Sequence, residues 1–173
     1  MSGYGMSVND TTIWWQVYPL GFTGAPIRPS NEGERALTPR LDAIIPWLDY
    51  LIDMGANGLL LGPVFASETH GYDTVDYYRI DSRLGDDAAF DRLIDACRSR
   101  GIRVMLDGVF SHTGEDSVYF NHFGHYPTLG AYQGQSSPYY DWYTFNHYPE
   151  DYKAWWGILS LPELRKDNPE YQK

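Results

Sequence analysis

Three short, nearly uninterrupted apolar runs, separated by two stretches of helical periodicity, set the strongest constraint on this 173-residue chain. The first, residues 13–18 (IWWQVY), stops at Pro19; the second and third are 58–63 (GLLLGP) and 102–106 (IRVML). Runs this brief suit strands covered on both faces, the setting of a parallel sheet. Between the first two, apolar residues recur at Leu41, Ile44, Ile45, Leu48, Leu51 and Ile52, which is one helix face, with Gly55 as the stop. With Asp42 as N-cap, Pro46 falls in the first turn, where a missing N–H costs nothing. A second helix, from about 87 to 100, carries Phe90, Leu93, Ile94 and Cys97 on one stripe, acidic residues at its start and Gly101 beyond its end. Strand, helix, strand, helix, strand predicts an α/β chain with right-handed crossovers, either doubly wound or closed into a barrel.

Beyond His112 this periodicity disappears. Residues 119–156 hold 14 of the chain's 28 aromatic side chains, interleaved with Gly, Pro, His and Asp. A loop of that length inside a compact unit is functional or a small subdomain. Charge narrows the partners: 23 acidic against 13 basic side chains give −10, which opposes nucleic acid and anionic lipid. The single Cys97 reads as a buried thiol. With no basic, apolar leader at the start and no run long enough to cross a bilayer, the expectation is a soluble, cytoplasmic protein with no membrane partner.

In a barrel, functional residues stand at the C-terminal ends of strands. The segments found there are Gly62-Pro63-Val64-Phe65, then His70-Gly71-Tyr72-Asp73-Thr74-Val75-Asp76-Tyr77, then Asp107-Gly108-Val109-Phe110-Ser111-His112. In order and spacing they resemble the α-amylase family of glycoside hydrolases. The resemblance implies a partial (β/α)8 TIM barrel, with its first three strands and two helices in residues 1–112 and an inserted irregular subdomain in 113–173. It also implies a partner, an α-glucan or maltooligosaccharide substrate. Tyr72 matches the aromatic platform beneath the sugar, and His112 the imidazole that hydrogen-bonds it. His70 lines the cleft, and Asp107 supports an arginine near the nucleophile. The chemistry fits: an imidazole can donate to a hydroxyl, and a ring face suits the apolar C–H face of a pyranose. Asp76 and Asp81 read as structural, holding loops.

Leu161-Pro162-Glu163-Leu164 followed by Asn168-Pro169-Glu170 resembles the motif that ends the inserted subdomain. Trp142, Trp155 and Trp156 are then candidate sugar contacts, with core packing the better expectation for any one of them. Three departures stand out. Ser111 replaces an Asn that in some members ligates calcium, which makes a calcium cofactor doubtful. Thr69 replaces an Asp of exo-acting α-glucosidases, favouring an amylase, neopullulanase or cyclomaltodextrinase type. Arg165 replaces Asn or Asp. A rival zinc site at His122 and His125 lacks the helical setting and the Glu of the metalloprotease pattern, and two hydrogen-bonded histidines are expected instead.

Retaining glycosidases need a carboxyl nucleophile and a carboxyl acid/base roughly 5–5.5 Å apart. The resemblance places both after the fourth and fifth strands, so no catalytic residue is expected within this chain, and both lie beyond Lys173. Alone, the chain is expected to be inactive and to leave its third strand with an unpaired edge. Transglycosylation by the same machinery and a catalytically silent carbohydrate-binding relative are the alternatives.

Overall fold

The structure, a computed structural model, describes residues 11–170. In chain order the elements are β1 (Trp14–Val17), a single turn α1 (Pro19–Phe22), a 3-10 stretch Arg40–Trp47 running into α2 (Leu48–Asp53), β2 (Gly58–Leu61), β3 (Phe65–Ser67), β4 (Thr74–Ile80), α3 (Asp87–Ser99), β5 (Arg103–Leu106), β6 (Phe145–His147) and β7 (Asp151–Tyr152). The three expected strands form one parallel sheet in the order β1-β2-β5. Val17, Leu61 and Leu106 lie side by side in register, so the chain leaves all three strands at one rim.

Leu59 and Leu61 of β2 are fully buried against the helical layer, where Leu41, Ile44, Leu48 and Leu51 meet Leu93 and Cys97 of α3. Each such side chain contributes about 1.5–3 kcal/mol by leaving water. Helix α3 begins as its sequence dictates, the Asp86 side chain accepting from Ala89 N at 2.9 Å as N-cap. The opposite face of β2 is covered less completely, for Leu60 is only half-buried. On β5, Met105 and Leu106 are each 37% exposed. Among the described residues β1 and β5 each have a strand neighbour on one side only.

The first helix departs from expectation. Asp42 caps nothing; the chain runs as a 3-10 helix from Arg40, with Pro46 inside it, and turns α-helical only from Leu48. Pro46 has no N–H to give to an i−4 carbonyl and its ring crowds that turn, so the tighter winding persists until proline is passed. Asp42 instead takes a bidentate hydrogen bond from Arg92 of α3 at 3.0 and 2.8 Å. An antiparallel hairpin of β3 and β4, with register shifts, is a further element that the reading of the sequence did not contain.

The aromatic-rich segment builds its own core around Phe120, which is fully buried with ring centroids 4.9 Å from Tyr143 and 4.8 Å from Tyr152. Its two ends meet: Thr113 N donates to Pro162 O at 3.1 Å, Leu164 N donates to Ser111 O at 3.0 Å, and His112 pairs with Glu163 as an antiparallel bridge. No helix among the described residues is long and apolar enough to cross a membrane.

Candidate functional site

The rim to which the parallel strands deliver the chain carries a cavity of ≈ 580 Å³, lined by Tyr72, Asp107, Phe110, His112, Trp155 and Lys166 among others. Asp107 stands there because Asp107 N donates to Leu61 O at 2.9 Å, continuing the β5 ladder by one residue. Tyr72 arrives from the loop between β3 and β4, and Trp155 from the aromatic-rich segment.

Tyr72 is held by its backbone and faces a carboxylate. Its carbonyl oxygen lies 2.8 Å from His112 Nε2, and its phenol shares the cavity with the Asp107 carboxylate. Burial pushes the phenol above its ordinary range, and the neighbouring Asp107 carboxylate pushes it further the same way. Because a carbonyl can only accept, His112 Nε2 carries the proton, and Nδ1 is left to accept from Ser111 Oγ at 2.8 Å. Burial holds the imidazole below its ordinary pKa of 6.5, which agrees with this neutral tautomer. The other face of the ring meets Trp155, at a centroid distance of 5.4 Å. Both nitrogens of His112 therefore have protein partners, and a sugar hydroxyl reaches Nε2–H only by sharing it with the Tyr72 carbonyl.

His70 is brought near this group without lining the cavity. Its ring sits 6.1 Å from that of Tyr72, and Nδ1 accepts from Tyr72 N at 3.2 Å. Two residues absent from the sequence reading fix this loop. Tyr18, following β1, donates to His70 O at 2.7 Å. Arg83, 1% exposed, donates to both Asp81 oxygens at 2.9 and 2.7 Å and to Thr69 O at 2.6 Å. Nothing in the sequence distinguishes Arg83 from a surface arginine; only the neighbouring Asp81 hinted at a pair. Asp81 and Asp76 do hold local structure, Asp81 through Ser67 and Arg83, and Asp76 through Tyr78 N at 2.8 Å.

Of the tryptophans, Trp142 packs into the second core, stacked on Tyr119 at 5.2 Å, Trp155 lines the cavity, and Trp156 is 85% exposed. Ser111 has turned its hydroxyl to His112, so the residues present do not suit calcium ligation at that position. His122 and His125 pair with separate carboxylates, Glu115 at 2.9 Å and Asp116 at 2.7 Å, rather than converging. Among the described residues no cluster of three or more His, Cys, Asp or Glu side chains is arranged to hold a metal ion.

The family model for the α-amylase catalytic domain matches residues 16–164, a span that runs from within β1 and contains Tyr72, Asp107, His112 and Trp155. The chain belongs to the α-amylase family. Curated α-amylase relatives include an amylopullulanase of Thermoanaerobacterium thermosulfurigenes, 47% identical over 128 residues, covering 70% of this chain and 7% of that protein. A cyclomaltodextrinase of Geobacillus thermopakistaniensis is 33% identical over 180 residues, covering 94% of this chain and 29% of the relative. Among solved structures, the cyclic α-maltosyl-(1→6)-maltose hydrolase of Arthrobacter globiformis superposes with a TM-score of 0.74 at 27% identity, over 93% of this chain and 39% of that one. A debranching enzyme of Nostoc punctiforme gives 0.71 at 28% identity, over 93% and 38%. The chain thus spans well under half the length of these relatives, and a three-stranded parallel sheet is a part of the α-amylase barrel rather than the whole.

Proposed function

We propose that this chain contributes the sugar-binding rim of a catalytic domain that hydrolyses α-glucosidic bonds in starch-like glucans or maltooligosaccharides with retention. One observation carries the reading: Tyr72, its carbonyl clasped by His112, lines together with His112 and Asp107 a cavity of a size that takes a sugar unit. A ring whose backbone is fixed in this way is a pre-organised platform, and stacking on it costs little ordering of the protein. His112 acts in this reading as a neutral clasp that also shares its Nε2–H with a sugar hydroxyl. Among the described residues Asp107 is the one carboxylate lining the cavity. Double displacement requires two. We therefore assign Asp107 a supporting role and place nucleophile and acid/base in segments beyond Lys173.

The test is turnover of maltooligosaccharides by the full-length protein carrying Tyr72→Phe or Tyr72→Ala. Phe keeps the ring without the phenol that faces Asp107; Ala removes the platform, with an expected loss in kcat/KM of about two- to tenfold or more, from the typical worth of an aromatic pair. Absence of any α-glucan turnover by the unmodified protein, or full activity in Tyr72→Ala, overturns the assignment. Chromatography of the products separates hydrolysis from transfer.

A further inference from the structure

The segment 154–162 is built as a tight loop around an exposed tryptophan. Trp155 N donates to Leu161 O at 2.9 Å, Leu161 N to Ile158 O at 2.9 Å, and Gly157 N to Ala154 O at 3.1 Å. Ala154 and Pro162 pair as an antiparallel bridge, and Tyr152 Oη donates to Leu159 O at 2.8 Å, fastening the loop to the second core. At its tip Trp156 has φ +53, the left-handed region that a bulky residue rarely adopts, and Gly157 follows at φ +76. Trp156 is 85% exposed among the described residues, so no burial within this chain offsets the strain of holding it there. Its neighbour Trp155 lines the cavity of Tyr72 and His112, and the two indoles meet edge to face at 6.0 Å. Trp156 is therefore the next aromatic ring outward from the cavity wall.

From this arrangement we propose that Trp156 is a second sugar-stacking platform, which takes a glucose unit of an α-glucan one or more residues away from the unit held at Tyr72. The proposal rests on the functional reading above. Continuity of the two indoles with the cavity, and the fixed presentation of the outer one, select an extended carbohydrate as the occupant. The apolar C–H face of a pyranose gains from a flat, rigid ring that needs no ordering on binding. Trp155 forms the wall between the two units. Substrates long enough to span both rings gain from Trp156; short ones do not.

The experiment compares the full-length protein with its Trp156→Ala and Trp156→Phe variants, with KM and kcat measured on maltotriose and on maltoheptaose. Circular dichroism and thermal melting verify that the variants keep the fold. The expected result is a rise in KM for maltoheptaose of about two- to tenfold in Trp156→Ala, unchanged constants for maltotriose, and substantial recovery in Trp156→Phe. Equal constants for Trp156→Ala and the unmodified protein on both substrates overturn the platform. An equal loss on both substrates also overturns it, by assigning Trp156 to the reacting centre. A change in oligomeric state or solubility with glucan kinetics intact points to a protein contact and likewise refutes the proposal. Lack of turnover of either glucan by the unmodified protein is a different outcome, since it refutes the functional reading itself.

Discussion

Replacing Glu68 with Gln should make the protein more stable, and increasingly so as pH rises. Glu68 sits between the β3–β4 loop and the start of the aromatic-rich segment, where its Oε1 accepts from Asp116 N at 2.7 Å and its own N donates to Asp73 O at 3.1 Å. Its oxygen fills the space in which a Cβ on Gly114 would stand. Burial first, and then the negative charges of Asp73, Asp116 and Glu115, push the carboxyl from 4.5 up to about 8, despite the opposing hydrogen bond from Asp116 N. Between those two values the folded chain holds a proton that the unfolded chain has lost, so stability falls as pH climbs from 4.5 to 8. At 1.36 kcal/mol per pH unit the interval sets a ceiling of roughly 5 kcal/mol. Glu68 is half-buried, and screening by the water that reaches it brings the expected effect to about 1–3 kcal/mol. Gln keeps the oxygen that serves Asp116 N and cannot ionise. Denaturant unfolding of both proteins from pH 5 to 9 should give a stability difference that is small at pH 5 and grows to that size above pH 8. A difference independent of pH refutes the argument.

Two further outcomes follow from other buried groups. Arg83→Met should destabilise by about 3–5 kcal/mol in denaturant unfolding, because it leaves the Asp81 carboxylate, 5% exposed, without its partner; adding Asp81→Leu should recover part of the loss, and no recovery contradicts the pairing argument. Since burial lowers the His112 pKa below 6.5, the unfolded chain takes up a proton first as pH falls, and stability should decline below 6.5. His112→Gln, which can still donate to Tyr72 O and accept from Ser111, should flatten that decline in melting curves between pH 5 and 7.

The parallel strands and α3 could be read from sequence because their signals are local and agree: brief apolar runs, an Asp at the start of the helix, a Gly after its end. The convergence of Tyr72, Asp107 and His112 followed from the spacing of motifs at strand ends. What stayed hidden depends on long-range partners. The hairpin of β3 and β4 escaped notice since β3 is three residues long and its register shifts, which blurs alternation. Counting from Asp42 as a cap puts Pro46 in a first turn, whereas the Asp42 carboxylate pairs with Arg92, 50 residues on. Ser111 reads from the sequence as a poor cation ligand; its place as donor to His112 Nδ1 follows from the tautomer that the Tyr72 carbonyl, 40 residues from His112, imposes on the ring.

The meeting of the two ends of the aromatic-rich segment has a consequence for how freely its length can change. Between Ser111 and Leu164 the chain makes an excursion whose two ends are clasped together. Closing a longer loop at the same clasp costs only a logarithm of its length, about 0.6 kcal/mol for each doubling. A change in the length of the excursion is therefore cheap so long as the clasp is kept, and leaves the strand tips below at their spacing.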